Sequence, residues 1–334
     1  MKKIAELAGV SSATVSRVLN HPELVNEKTR RRVLKIIEEL GYRPNKSARS
    51  LRTRRSENVG LVIPEDSSGL FTSPYLGILI KNISEELESV GYHLVISASR
   101  RSDLEVYDTF LKKGTVDGFI VVDVEDFDER VKHLLDIGAK FVTVGRPEGF
   151  EGVPYVDSDN LSGAYKATRY LLETGHKSIY LVNGPKRLSV CGMRLKGFEK
   201  ALKEFGLSAE GRVLWGRFDE ESGYRLTKEI LKNDSPDAIV YSGDVMAYGG
   251  MMALREEGFR IGEDVSVVGF DDIPLSRLVG LTSVRQKIEE VGRVVARMIV
   301  DLLKGREVRS KVFGTELVLR RSVRGWSSEE DGGW

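Results

Sequence analysis

From residue 59 onward the chain writes one pattern twice, short β-branched apolar runs alternating with segments of helical spacing. The first set has apolar runs at 59–63, 93–97, 119–122 and 141–144, with helical patterns at 76–90, 103–113 and 129–137 between them. The second set has runs at 178–182, 212–215, 238–241 and 266–269. Its helical patterns fall at 162–174, 194–205, 220–231, 244–257 and 288–303. Strand and helix alternating at this spacing require βαβ crossovers, hence parallel sheets covered by helices. A last run at 315–320 is expected to return to the first sheet. The pattern predicts two doubly wound halves joined by crossings near Asp157, Arg285 and Gly305. Both halves then turn the carboxyl ends of their strands toward one cleft, where open parallel sheets bind ligands.

The first 58 residues follow a different period. Ile4, Leu7 and Ala8 share one helical face. Gly9 and Val10 make a turn, and Ser11 caps a second helix that points Val15, Val18 and Leu19 inward and leaves Ser12, Ala13, Ser16 and Arg17 outside. Asn26 caps a third helix with Val33, Ile36, Ile37 and Leu40 as its inner stripe, and Gly41 supplies the residue after its end. Two helices joined by a short glycine turn, closed by a third, form a helix-turn-helix unit whose second helix is the candidate for a DNA major groove. Charge supports that reading. Up to Gly60 there are fourteen Lys and Arg against six Glu, a surplus of eight, whereas the remainder holds 37 bases and 44 acids, a deficit of seven. A nearly neutral protein therefore carries a basic head on an acidic body, as contact with phosphates requires. Pro44 breaks the pattern after the third helix, and Asn45 can cap a short helix over 46–53 that is too short to stand alone in water.

Composition closes off other classes. Hydrophobic residues make up 41%, no apolar run approaches the roughly 20 residues that span a bilayer, and no signal-peptide core opens the chain, so a cytoplasmic location is expected. A single cysteine, Cys191, excludes an intrachain disulfide, and the four histidines have no ligand spacing, so no metal site and no cofactor are expected. No GxSxG, Walker A or strand-borne GxGxxG motif is present, which argues against an enzyme.

The strings AGVSSATVSRVLN and EELGYRPNKSARSLRTRR resemble the DNA-binding head and hinge of the LacI/GalR family of bacterial transcription regulators. RYLLETGHKSIYLVNGP, MRLKGFEKAL, GRFDEESGY, SGDVMAYGGMMALREEGF, VVGFDDIP and VRQKIEEVGR resemble the periplasmic-binding-protein-like, sugar-binding body of the same family. The resemblance implies a helix-turn-helix domain over 1–44, a hinge over 45–58 and an effector-binding, dimerising body over 59–325. The body divides into one subdomain at 59–157 plus 288–325 and another at 158–287, followed by a tail at 326–334. It implies DNA contacts from Ser11, Ser12, Ala13, Thr14, Ser16, Arg17, Asn20, Tyr42, Asn45, Ala48, Leu51 and Arg52, with Leu51 wedged into the minor groove. The family's first helix usually starts one or two residues earlier with a Thr cap, whereas this chain opens at Met1 inside that helix.

For the effector the resemblance implies Tyr75, Arg146, Asp159, Val190, Arg194, Phe218, Asp244 and Asp271. Departures are Gly145 before Arg146, Gly243 before Asp244, and Leu188, Ser189 and Val190 in place of more polar residues. The expected protein is a homodimeric repressor of a near-palindromic operator, controlled by a small ligand. That ligand is a sugar, a sugar acid or a nucleoside, with the apolar 188–190 edge arguing against a purine.

Overall fold

The computed structural model describes residues 2–41, 55–64 and 73–326, in two compact units divided at Arg54 and Arg55. The first unit holds α1 (Lys2–Ala8), α2 (Ser12–Asn20), a 3-10 turn at Pro22–Leu24 and α3 (Glu27–Glu39). Ser11 caps α2 by accepting from the Thr14 amide at 3.1 Å, and Asn26 caps α3 by accepting from the Lys28 amide at 2.9 Å. Gly9 and Gly41 both have positive φ, which a side chain would resist. The core is Ile4, Ala5, Ala8, Val15, Val18 and Val33. Two residues expected inside are exposed, Leu7 at 57% and Leu40 at 41%. Ala5 takes the buried place that the spacing gave Leu7, and Leu40 is the residue that ends α3. The expected hinge helix lies outside the described residues.

The second unit begins with β1 (Asn58–Pro64), α4 (Pro74–Ser89), β2 (His93–Ser99), α5 (Glu105–Lys112), β3 (Gly118–Val121), α6 (Glu129–Asp136), β4 (Phe141–Val144) and β5 (Tyr155–Ser158). It continues with α7 (Asn160–Glu173), β6 (Ile179–Asn183), α8 (Ser189–Glu204), β7 (Val213–Trp215), α9 (Glu220–Asn233), β8 (Ala238–Tyr241), α10 (Asp244–Glu256), β9 (Ser266–Asp271), α11 (Pro274–Val279) and β10 (Thr282–Arg285). The last elements are α12 (Ile288–Leu303), β11 (Lys311–Phe313) and β12 (Glu316–Val318). One sheet runs β11-β5-β4-β3-β1-β2, and the other runs β12-β10-β9-β8-β6-β7. The two strand orders correspond position by position, with the order reversing beside β1 in one sheet and beside β6 in the other. Strands β3, β6 and β8 are buried along their whole length, which is why their sequences read as unbroken apolar runs rather than alternating ones.

The end of the chain departs from expectation. The 315–320 run does not return to the first sheet: β12 pairs antiparallel with β10, Ser283 opposite Val318 and Arg285 opposite Glu316. The strand that does return is β11, parallel to β5. The third crossing is therefore at Gly314, and Gly305, with φ +76, only ends α12. Arg320 explains the placement. Its buried guanidinium donates to the Leu281 carbonyl at 2.6 Å and pairs with Asp272 at 2.7 Å, anchoring the strand to the second subdomain. No helix among the described residues is long and apolar enough to cross a membrane.

Helices α9 and α10 meet backbone to backbone. A Cβ on Gly249 would lie 1.9 Å from the Glu220 carbonyl oxygen, and one on Gly223 would lie 1.9 Å from the Met246 carbonyl oxygen. Gly249→Ala should therefore lower stability by about 2–3 kcal/mol, read as a lower urea midpoint. Gly192→Ala, whose added carbon meets nothing within 4 Å, should leave the midpoint unchanged or raise it.

Candidate functional site

The carboxyl ends of β3, β4, β5, β6, β8 and β9 converge on a cavity of about 920 Å³, its open mouth included. Its polar centre is Arg194 on α8, a buried side chain. The guanidinium donates through Nε to Asn160 Oδ1 at 2.9 Å and through Nη1 to the Ser242 carbonyl. It also stacks 3.7 Å from the centre of the Phe270 ring and stands 4.0 Å from Asp271 Oδ1. These contacts fix its direction and leave one edge toward the cavity.

Asp271 ends β9 with φ +110, and Asp272 follows at φ +55. Two successive non-glycine residues in this region are strained, and the strain turns the Asp271 carboxylate into the cleft. Oδ1 accepts from Gln286 Nε2 at 2.6 Å. Burial pushes the Asp271 pKa above the ordinary carboxylate range, against the pull of Arg194 and Gln286. From the first subdomain come Asp123, with φ +52, and Asp157. Burial pushes Asp157 up to about 6, although its oxygens accept from the Ser158 and Arg146 amides and from Asn160 Nδ2. Tyr75, at the start of α4, lines the same space, and its hydroxyl pKa is raised by burial and by Asp271 and Asp157.

Phe218 supplies a flat apolar wall. A Cβ at Gly184 would fall 2.4 Å from its ring and one at Gly243 would fall 3.2 Å from it. The two strand-end glycines after β6 and β8 therefore let the ring lie flush on the backbone. Val122, Val124, Leu188, Val190 and Val245 complete the apolar lining.

Of the eight residues expected at the effector, Tyr75, Val190, Arg194, Phe218 and Asp271 line this cavity, and three do not. Asp159 caps α7, accepting from the Ser162 amide at 3.0 Å. Asp244 is fully buried behind the wall, accepting from the Ile273 amide at 2.9 Å and from the Ser276 and Ser283 hydroxyls at 2.6 Å each. Burial and the charge of Asp271 push its pKa up. The Arg146 side chain is 60% exposed and turned toward Glu148 at 3.9 Å, and only its amide serves the site, through Asp157. Asp123, Asp157 and Gln286 were missed. The two acids stand at or just beyond strand ends, in VVDV and YVDS, where the strand-end rule could have found them. Gln286, the only glutamine in the chain, lies within VRQKIEEVGR, the string that could have pointed to it.

In the first unit, α2 leaves Ser12, Ala13 and Arg17 exposed and Thr14 and Ser16 half-buried, while Ser11 is exposed at the cap. Asn20 is the last residue of α2. On α3, Glu27 pairs with Arg30 at 3.0 Å and Arg31 at 2.8 Å. Such exposed pairs are weak enough for phosphates to displace. Tyr42, Asn45, Ala48, Leu51 and Arg52 lie outside the described residues. Among the described residues no group of His, Cys, Asp and Glu is placed to hold a metal.

Comparison with known proteins accords with both units. Residues 1–45 match the family model for bacterial regulatory proteins of the lacI family, and 168–323 match the periplasmic binding protein-like domain. The HTH-type transcriptional regulator CelR of Thermobifida fusca is 36% identical over 96% of this chain and 97% of its own. The chain belongs to the lacI family of bacterial regulatory proteins. A second relative, the HTH-type transcriptional regulator AglR of Rhizobium meliloti (strain 1021), is 34% identical over 97% of this chain and 94% of its own. Among solved structures, a transcriptional regulator CelR–cellobiose complex has TM-score 0.75 at 34% identity, covering 96% of this chain and 98% of that one. The lac repressor dimer bound to operator and the anti-inducer ONPF has TM-score 0.85 at 27% identity, covering 96% and 98%. The family's members are DNA-binding transcriptional regulators, not enzymes.

The raised pKa of Asp157 carries a sign. A carboxyl that holds its proton to higher pH when folded than when unfolded favours the folded state at low pH and loses that advantage as pH rises from about 4 to about 6. Asp157→Asn removes this dependence. The stability of the variant relative to the parent should rise between pH 4 and pH 7, checked by urea midpoints across that range.

Proposed function

We propose that this regulator represses transcription as a homodimer in the cytoplasm and that the cleft binds a neutral, polyhydroxylated ligand, a short oligosaccharide of the cellobiose kind. The observation that carries the ligand class is the charge of the cavity. Asp123, Asp157 and Asp271 face one arginine there, so an anionic ligand would meet net repulsion. Carboxylates and a guanidinium accept and donate to sugar hydroxyls, and the Phe218 face, flush on Gly184 and Gly243, suits the flat apolar side of a pyranose. The complex of the similar CelR with cellobiose supports the same class.

In the head, Arg17 can bond a guanine edge bidentately, whereas Ser12 and Ala13 are short and read less. Dimerisation is supported by exposed apolar side chains on neighbouring helices of the second subdomain. These are Met252 on α10 at 54%, and Leu275 and Leu278 on α11 at 46% and 69%. Tyr248 and Ser276, hydrogen-bonded at 2.7 Å, join these two helices. The solved lac repressor bound to operator is itself a dimer.

The ligand reading is tested by thermal unfolding against a panel of neutral disaccharides, sugar acids and nucleosides. Neutral disaccharides should raise the melting temperature and Arg194→Ala should abolish the rise, whereas a shift confined to sugar acids or nucleosides would overturn the reading. For the head, Arg17→Ala should cost about 1–3 kcal/mol of discrimination between operator and unrelated duplex, measured by competition binding at fixed salt.

A further inference from the structure

Beside the cavity, two loops from opposite subdomains are bonded directly to each other. The loop after β3 comes from the first subdomain and the residues leading into α8 come from the second. Glu125 and Leu188 are paired as an antiparallel bridge, and the Ser189 amide donates to the Val124 carbonyl at 3.1 Å. Side chains reinforce the pairing: Ser189 Oγ donates to Asp126 Oδ1 at 2.7 Å, and Arg187 Nε stands 2.7 Å from Glu125 Oε1. We propose that these residues are a clasp that keeps the cleft shut before any ligand enters, so that ligand arrival and departure wait on its opening.

The first-subdomain half of the clasp is held rigid. Arg130, a fully buried guanidinium, donates to the Val122 carbonyl at 3.1 Å, to the Asp123 carbonyl at 2.8 Å and to Asp128 at 2.7 Å. Burial raises the Asp128 carboxyl pKa, but its bonds to Arg130 outweigh burial and hold it below the usual range, so the pair stays charged and fixed at neutral pH. Arg101 donates to the Asp123 carbonyl at 2.9 Å and stands 3.0 Å from the same Glu125 oxygen that Arg187 reaches. Glu125 is thus shared between one arginine of each subdomain. A loop already ordered loses little freedom on closing, so the bonds it makes count almost fully toward the closed state. The same loops contribute Val124 and Leu188 to the cavity wall, which places the clasp at the door of the site.

The deciding sample of the first arm is the ligand-free protein, so the test separates this inference from the reading of the site as a disaccharide pocket. The full-length chain carrying Asp126→Cys and Ser189→Cys is oxidised mildly with and without cellobiose, beside each single variant. The clasp requires the disulfide to form in the ligand-free protein as fast as in the presence of cellobiose. A disulfide that forms only with cellobiose, or in neither case, overturns it. In the second arm, Glu125→Gln with Arg187→Gln should speed cellobiose dissociation about tenfold in stopped-flow measurements, with the urea midpoint unchanged. An unaltered dissociation rate contradicts a role for the ion pair.

Discussion

The cleft is arranged around a charge that cannot be given up. A guanidinium keeps its proton in any protein environment, so a buried Arg194 needs partners on every side. It finds them in Asn160 at the first crossing, the Ser242 carbonyl at the end of β8, the Phe270 face and Asp271. Those groups come from α7, the loop after β8 and β9, so one side chain on α8 ties these elements into a single surface. The strained turn at Asp271 and Asp272 follows from this arrangement, because the carboxylate must face both the arginine and the cavity. Behind it, Asp244 gathers the Ile273 amide and two serine hydroxyls and locks α10 to the corner that carries Asp271.

A receptor built this way joins its two halves through three short crossings and a few polar bonds rather than through one continuous core. The apolar clusters of the two sheets are largely separate: Leu61, Leu79 and Ile299 belong to one, and Leu171, Phe198 and Val268 to the other. Each half is rigid, and the seam between them is where a ligand can act. A ligand bridging Asp157 on one side and Arg194 and Asp271 on the other changes the free energy of the seam alone. That difference between states is what coupling to a distant site requires.

Much of this was legible in the chain itself. The doubled strand–helix alternation gives the two sheets, and capping residues give the helix starts at Ser11 and Asn26. The basic head, with Ser12, Ala13 and Arg17 outward on α2, follows from period and charge. Legibility ended where tertiary geometry overrides local signals. Asp244 and Asp271 look alike in sequence, yet one is sealed behind the wall and the other opens into the cavity, a distinction set by the φ values at 271 and 272. Strand β12 changes sheets because of Arg320, a contact across about 40 residues that no local pattern carries. Gln286 gains its place only from the fold that brings it to Asp271.

Filling the cleft should alter how the head engages DNA. This is tested most directly by the affinity of the full-length protein for its operator duplex, measured by fluorescence anisotropy at one fixed salt concentration, with and without saturating cellobiose. The sugar should change operator affinity at least fivefold, Asp271→Ala should remove the change, and affinity without sugar should be unaltered by that substitution. An operator affinity indifferent to a sugar that demonstrably occupies the cleft would contradict this coupling.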